Sequence, residues 1–284
     1  MRKHWNYWDA PLNFWTGCHA VSPGCDNCWA RTGHNKRHEA RLAGKTGLPN
    51  MFDLPFDHVQ VFTDKIKKPI PGGRPKTYFV NNTSDTFHHA VPDEIRDELF
   101  EAMWRMQTHR YLLLTKRPEV ASRYLAWLEM ETSFGPTAMP TAWRKDPLNC
   151  VWLGVTVEDQ KRADKRIPLL LQTPARNRWL SVEPMLGPVD LSGCFENQWR
   201  APEIRPAGVA WVVFGSESGA NRRHCSLDWI YSGVDQCQNA GVKVFVKQVM
   251  VDGKTIHDWN DKRFPEDLKI RELPWEPLDT KGDE

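Results

Sequence analysis

Six short apolar runs, separated by polar turns and helical patterns, restrict the fold of this chain more than any other feature. They occupy residues 77–81 (TYFVN), 110–115 (RYLLLT), 151–156 (VWLGVT), 178–182 (RWLSV), 209–214 (VAWVVF) and 243–247 (KVFVK). Each is short, mostly apolar and rich in β-formers, as strands buried on both faces are. Helical patterns lie between several of them. One opens at Pro92-Asp93-Glu94 and carries a core stripe of Ile95, Leu99 and Met103. Another runs over residues 228–240 with Ile230, Val234 and Cys237 inward, and Gly241 stops it. Strand and helix alternating in this way imply parallel strands joined by right-handed crossovers. The expected fold is therefore α/β, a partial or complete parallel (β/α) barrel. A doubly wound open sheet is the alternative, because strand order is not written in one sequence.

A chain of 284 residues falls within the range in which such a barrel forms one domain. The expected barrel spans residues 1–255, and 256–284 are expected to be a C-terminal tail. Proline and glycine interrupt the rhythm at about 45–76 and 131–149, which predicts two long excursions on the barrel rim. No apolar run approaches the roughly 18 to 20 residues of a membrane span, and the N-terminus lacks the apolar core of a signal peptide. A soluble, cytoplasmic protein without a membrane partner is expected. The net charge of +2 is too small to mark a nucleic-acid binder, although basic residues cluster at 65–76 and at Arg222, Arg223 and His224.

Three of the seven cysteines sit within eleven residues: Cys18, Cys25 and Cys28, with Gly17, Pro23 and Gly24 bending the chain among them. The other four, Cys150, Cys194, Cys225 and Cys237, are scattered and read as small buried hydrophobes rather than a disulfide framework. Two metal readings compete for the cluster. Structural zinc needs four ligands, and His19, His34 or His38 could supply the fourth. An iron-sulfur cluster needs only the three thiolates and keeps one iron open, as a catalytic centre requires. The absence of a second Cys-x-x-Cys pair and the helix predicted over 30–42 directly after the cysteines favour iron-sulfur.

The segments LNFWTGC, SPGCDNCWA, FVNNTSDTFH, LLLTKRPE, VWLGVTVEDQ, WLSVEPMLGPVDL, VVFGSESG and VFVKQ run in order from about residue 8 to about residue 250. In these the chain resembles an uncharacterised phage and bacterial three-cysteine-motif family. That family in turn resembles radical S-adenosylmethionine (radical SAM) enzymes and, distantly, spore photoproduct lyase. Most radical SAM enzymes have three residues between the first two cysteines, and this chain has six. The resemblance implies a barrel of the radical SAM type, a 4Fe-4S cluster on Cys18, Cys25 and Cys28, and S-adenosylmethionine as cofactor. It places the cofactor's amino group near Asn82, Ser84 or Asp85, its carboxylate near Lys116 and Arg117, and its ribose near Thr156 and Glu158. Glu183, Ser216, Glu217, Lys247 and Gln248 extend the ring as candidate substrate contacts. The implied substrate is a nucleobase or nucleoside, in DNA modification or repair, and the implied electron donor is a flavodoxin or ferredoxin.

Two other functions fit the residues. The cysteines with a histidine could staple a zinc-containing nucleic-acid-binding protein, or Asp85, Glu158 and Glu183 could hold magnesium in a hydrolase. Each strand-end polar residue also has a plain structural reading as a turn-former or helix cap.

Overall fold

The computed structural model describes residues 6–68, 70–131, 149–195 and 208–275. Among the described residues there are ten strands: β1 (Ala10–Leu12), β2 (Trp15–Thr16), β3 (Gln60–Val61), β4 (Thr77–Val80), β5 (Arg110–Thr115), β6 (Val151–Thr156), β7 (Asn177–Val182), β8 (Trp211–Gly215), β9 (Lys243–Val251) and β10 (Lys254–Ile256). The helices are α1 (Trp29–Leu42), α2 (Thr63–Ile66), α3 (Asp93–Arg105), α4 (Pro118–Glu131), α5 (Gln160–Gln172) and α6 (Leu227–Asn239). All six apolar runs became strands of one eight-stranded sheet, ordered β1-β4-β5-β6-β7-β8-β9-β10. Every pairing in it is parallel except that of β10 with β9. Strand order follows chain order without a reversal, so the doubly wound alternative is excluded, since its sheet grows outward in both directions from a switch point.

The period of two along each strand sorts the side chains onto two unlike faces. Val80, Leu113, Leu153, Leu180, Val212 and Val246 belong to the large aliphatic core that also takes in the buried stripes of the helices, Leu99 and Met103 of α3 and Ile230, Val234 and Cys237 of α6 among them. The opposite face carries Phe79, Leu112, Trp152, Trp179, Trp211 and Phe245, with Tyr7 among them. The Tyr7 ring lies 6.3 Å from Phe79 of β4 and 5.3 Å from Phe245 of β9, centroid to centroid. Five strand spacings separate β4 from β9, roughly 24 Å on a flat sheet, so one ring reaching both means that this face is deeply concave.

Two expectations about the chain's edges change. The excursion over 45–76 contains β3 and α2, and β3 pairs with β2 to form a small antiparallel ribbon beside the main sheet. It buries Phe56, Ile66 and Ile70, apolar anchors that the proline and glycine content masked. The stretch expected as a tail is folded onto the sheet as far as it is described. Phe264 and Leu268 are buried, Val246 N–H donates to Ile270, and Trp275 stands edge-on to Trp152 and Trp211 beneath the concave face. The excursion expected at 131–149 lies outside the described residues over 132–148.

Candidate functional site

On the concave face the same two-residue period turns from apolar to polar toward the strand C-termini. Leu112 and Leu114 lead to Lys116, Trp152 and Gly154 to Thr156, Trp179 and Ser181 to Glu183, Trp211 and Val213 to Gly215 and Glu217, and Phe245 to Lys247. Aromatic rings thus form a floor, and the polar ends surround a cavity of about 240 Å³ above it. Of the fifteen cluster, cofactor and substrate residues expected above, all but Glu158 and Gln248 line this one cavity.

The cysteine loop closes the other side. It follows β1 and β2 directly and is fixed at nearly every residue. Gly17 has φ 91°, and a Cβ there would stand 2.3 Å from the His58 carbonyl oxygen. Ser84 Oγ donates to the Gly17 carbonyl at 2.5 Å, and Cys18 N–H donates to Phe56 at 2.9 Å. Asn81, at φ 51°, takes the Phe14 N–H at 2.9 Å on its Oδ1. Gly24 packs against Glu158, where a Cβ would meet Glu158 Cγ at 2.5 Å. Glu158 itself accepts from Ser22 Oγ (2.5 Å) and Arg166 Nη1 (2.8 Å). Arg223 reaches the Pro23 carbonyl at 2.8 Å and Asp26 at 3.3 Å, while Asn27 donates to Glu217 at 2.9 Å.

This redistributes the roles expected at the strand ends. Asp85 is buried, and its carboxylate accepts from Thr115 Oγ1, Phe87 N–H, Lys116 N–H and Arg117 Nη1, at 2.7 to 3.0 Å. A carboxylate has about four lone-pair sites, and all are used, so Asp85 organises Arg117 rather than facing a ligand. Glu158, fully buried, and Glu217, tied to Arg223 and Asn27, likewise hold the loop. Asn82, Ser84, Lys116 and Thr156 remain on the cavity wall. Glu183 Oε1 accepts from Lys247 Nζ and Gln248 Nε2, both at 2.7 Å. Ser216 Oγ and Gln248 Oε1 are buried with no hydrogen-bond partner among the described residues. The magnesium reading loses support, because Asp85 is saturated by partners within the protein and Glu158 is fully buried between Ser22 and Arg166. Arg166 and Arg223, which hold much of this frame, were missed as site residues. The only signal was the basic cluster at 222–224; nothing near Glu158 in sequence marked Arg166.

Charges around the thiols are uneven. Burial pushes the Cys18 thiol up to about 11, against the pull of Arg117. At Cys25 burial acts the same way, but the Lys116 charge, together with hydrogen bonds from Val21 and Ser22, outweighs it and the thiol lies below its usual value. Arg117 Nη1 stands 3.5 Å from Cys18 Sγ. Burial holds Glu217 up, and the Arg223 and Asn27 hydrogen bonds more than reverse it, leaving the carboxyl below its ordinary value. The four scattered cysteines are free, three of them buried, as small hydrophobes should be.

Among the described residues, one group of three His, Cys, Asp or Glu ligand atoms lies mutually within 4.8 Å: His19, His88 and His89. The histidines are no ready ligand set. Ala90 N–H donates to His88 Nδ1 at 3.1 Å, which leaves the His88 proton on Nε2, facing His19 Nδ1 at 2.9 Å. Burial and the Arg117 charge push His88 down to about 4, consistent with a neutral ring locked between a donor and an acceptor.

Fold and site together define a parallel α/β protein whose first strand leads into a three-cysteine loop, pinned over a cavity at the strand C-termini. The chain belongs to the family described as protein of unknown function DUF5131, whose model matches residues 2–267. No curated protein and no solved structure matches it.

Proposed function

We propose that this chain is a radical SAM enzyme, with the concave sheet acting as a partial (β/α) barrel of that type. The observation that carries the reading is the position of Cys18, Cys25 and Cys28: on the loop after the first parallel strand, lining a cavity at the strand C-termini, where parallel α/β active sites assemble. The donor set fits a four-iron cluster with one open iron. It offers three thiolates on the wall of one cavity, and the neighbouring His88 Nδ1 is already committed to the Ala90 N–H. Held by Cys18, Cys25 and Cys28, such a cluster would supply the one-electron reduction that cleaves S-adenosylmethionine for hydrogen abstraction.

The protein's own part is to hold and orient. Asp85, Glu158 and Arg223 keep the cysteine loop in place. Asn82, Ser84, Lys116 and Thr156 offer the hydroxyl, amide and ammonium groups that bind the cofactor's amino acid and ribose. Glu183 and Lys247, on β7 and β9 across the cavity, face the substrate. The substrate class is a nucleobase or nucleoside, in phage or bacterial DNA. Trp29, 58% exposed at the cavity edge, presents a ring on which a base can stack. A base in duplex DNA must be flipped to reach the cavity. In this reading a flavodoxin or ferredoxin supplies the electron in the cytoplasm, where thiols stay reduced.

The test is anaerobic reconstitution with iron and sulfide, followed by dithionite and S-adenosylmethionine. The expected product is 5′-deoxyadenosine. A fully loaded protein that never forms it, or a colourless protein with stoichiometric zinc, overturns the reading.

A further inference from the structure

Two consecutive residues just past β5 reach the cysteine loop at two places, Arg117 at the Cys18 thiol and Lys116 at the residue before Cys25. Arg117 Nη1 lies 3.5 Å from Cys18 Sγ, and its Nη2 donates to the His19 carbonyl at 2.9 Å. Lys116 Nζ reaches the carbonyl of Gly24, the residue before Cys25, at 3.5 Å and Glu158 Oε1 at 3.7 Å. The turn that splays them is built on Asp85, which takes the Lys116 N–H and Thr115 Oγ1, while Thr115 Oγ1 in turn accepts the Arg117 N–H. Asp85 also shares Arg117 Nη1 with Cys18, at 3.0 Å. Both members of the Asp85–Arg117 pair are buried, with side-chain exposures of 6% and 5%.

We propose that Lys116, Arg117 and Asp85 are positioning residues that set the reduction potential of the centre on the three cysteines. The inference rests on the iron-sulfur reading above. Reduction adds one negative charge to a cluster. A neighbouring cation or an N–H donor to sulfur therefore favours the reduced form and raises the potential, while a neighbouring anion lowers it. Low local dielectric keeps these effects large at Arg117 and Asp85, whereas Lys116, 21% exposed, is partly screened. The three residues thus act with opposite signs through contacts only a few ångströms long, which a purely structural role does not do.

The experiment is a potentiometric titration, followed by electron paramagnetic resonance, of reconstituted full-length wild type, K116Q, R117Q, R117K and D85N, with iron per chain measured in parallel. Expected are a lowered midpoint for R117Q, a smaller lowering for K116Q, an intermediate value for R117K and a raised midpoint for D85N. Equal midpoints throughout, or a shift of D85N in the same direction as R117Q, overturn the inference. Should R117Q fail to load, K116Q at its more exposed position decides: an unchanged midpoint there counts against the proposal. Wild type that loads a cluster and cleaves S-adenosylmethionine while the variants keep its midpoint defeats this inference alone. Wild type that takes up no cluster defeats the radical SAM reading and this inference with it.

Discussion

Gly24→Ala is the sharpest probe of how the cysteine loop is held. A Cβ at this position would lie 2.5 Å from Glu158 Cγ and 2.6 Å from its Oε1, about 1 Å inside ordinary carbon contact. Glu158 has little freedom to swing away, being fully buried and bound to Arg166 at 2.8 Å and Ser22 at 2.5 Å. The clash must be relieved by lifting the loop or by breaking the Ser22 bond. Overpacking typically costs about 1 to 3 kcal/mol, and a lost hydrogen bond to a charged group about 1.5 to 3 kcal/mol. The expected loss is therefore about 1 to 3 kcal/mol, a fall of roughly 2 to 5 °C in melting temperature for a chain of this size. Iron uptake per folded chain should fall with it, because Cys25 is the next residue. The assay is urea denaturation of wild type, G24A, E158A and the double variant. In the E158A background the extra methyl group meets no carboxylate, so the cost of G24A should shrink by about 1 kcal/mol or more. An equal cost in both backgrounds would show that Gly24 is needed for some other reason and refute the packing argument.

Further outcomes follow from other contacts. Gly154→Ala places a Cβ 2.4 Å from the fully buried Trp179 ring and should cost about 1 to 3 kcal/mol in urea denaturation while leaving iron uptake per folded chain unchanged; wild-type stability would contradict the close approach. His88 titrates near 4 in the folded protein against 6.5 ordinarily, so the unfolded chain takes its proton first as pH falls. The stability His88 confers is whole above about pH 6.5 and is lost progressively toward pH 4, up to about 3 kcal/mol; denaturation at neutral pH and near pH 5 should show a slope that His88→Gln flattens, and an identical slope in the variant counts against it. Deleting residues 257–284 should abolish cooperative unfolding, because it uncovers Trp152 and Trp211 and removes the partners of Val244 and Val246; a soluble truncation with the parent's transition would restore the tail reading.

Much of the fold was legible because buried parallel strands announce themselves. All six apolar runs formed strands, and the helix stripes at Leu99, Met103, Ile230, Val234 and Cys237 are buried as their spacing implied. β1 escaped notice because Ala10–Leu12 is three residues long and contains a proline, below the length at which a pattern can be read. The segment beyond Ile256 escaped because its contacts are sparse along the chain, with Phe264, Leu268 and Trp275 separated by polar turns. The cavity wall was legible for a different reason. Where a strand's inward register continues past its last apolar residue, the polar residue two places on must face the cavity, as Lys116 and Glu183 do just beyond their strands and Lys247 does within β9.

Which of those residues remain available to a ligand was decided elsewhere. Asp85, Glu158 and Glu217 looked like Asn82, Ser84 and Thr156 in sequence, as polar groups just beyond a strand. Their roles parted when Arg117, Arg166 and Arg223 arrived from other segments and took up their lone pairs. The sequence by itself determined the parallel α/β class, the six longer strands, and the three clustered cysteines ahead of a helix, because these follow from local periodicity and spacing. Tertiary structure alone decided the strand order, the concavity and the division between groups that hold the loop and groups that face the cavity. Those depend on which distant side chain satisfies which buried charge, and chain spacing carries no record of that pairing.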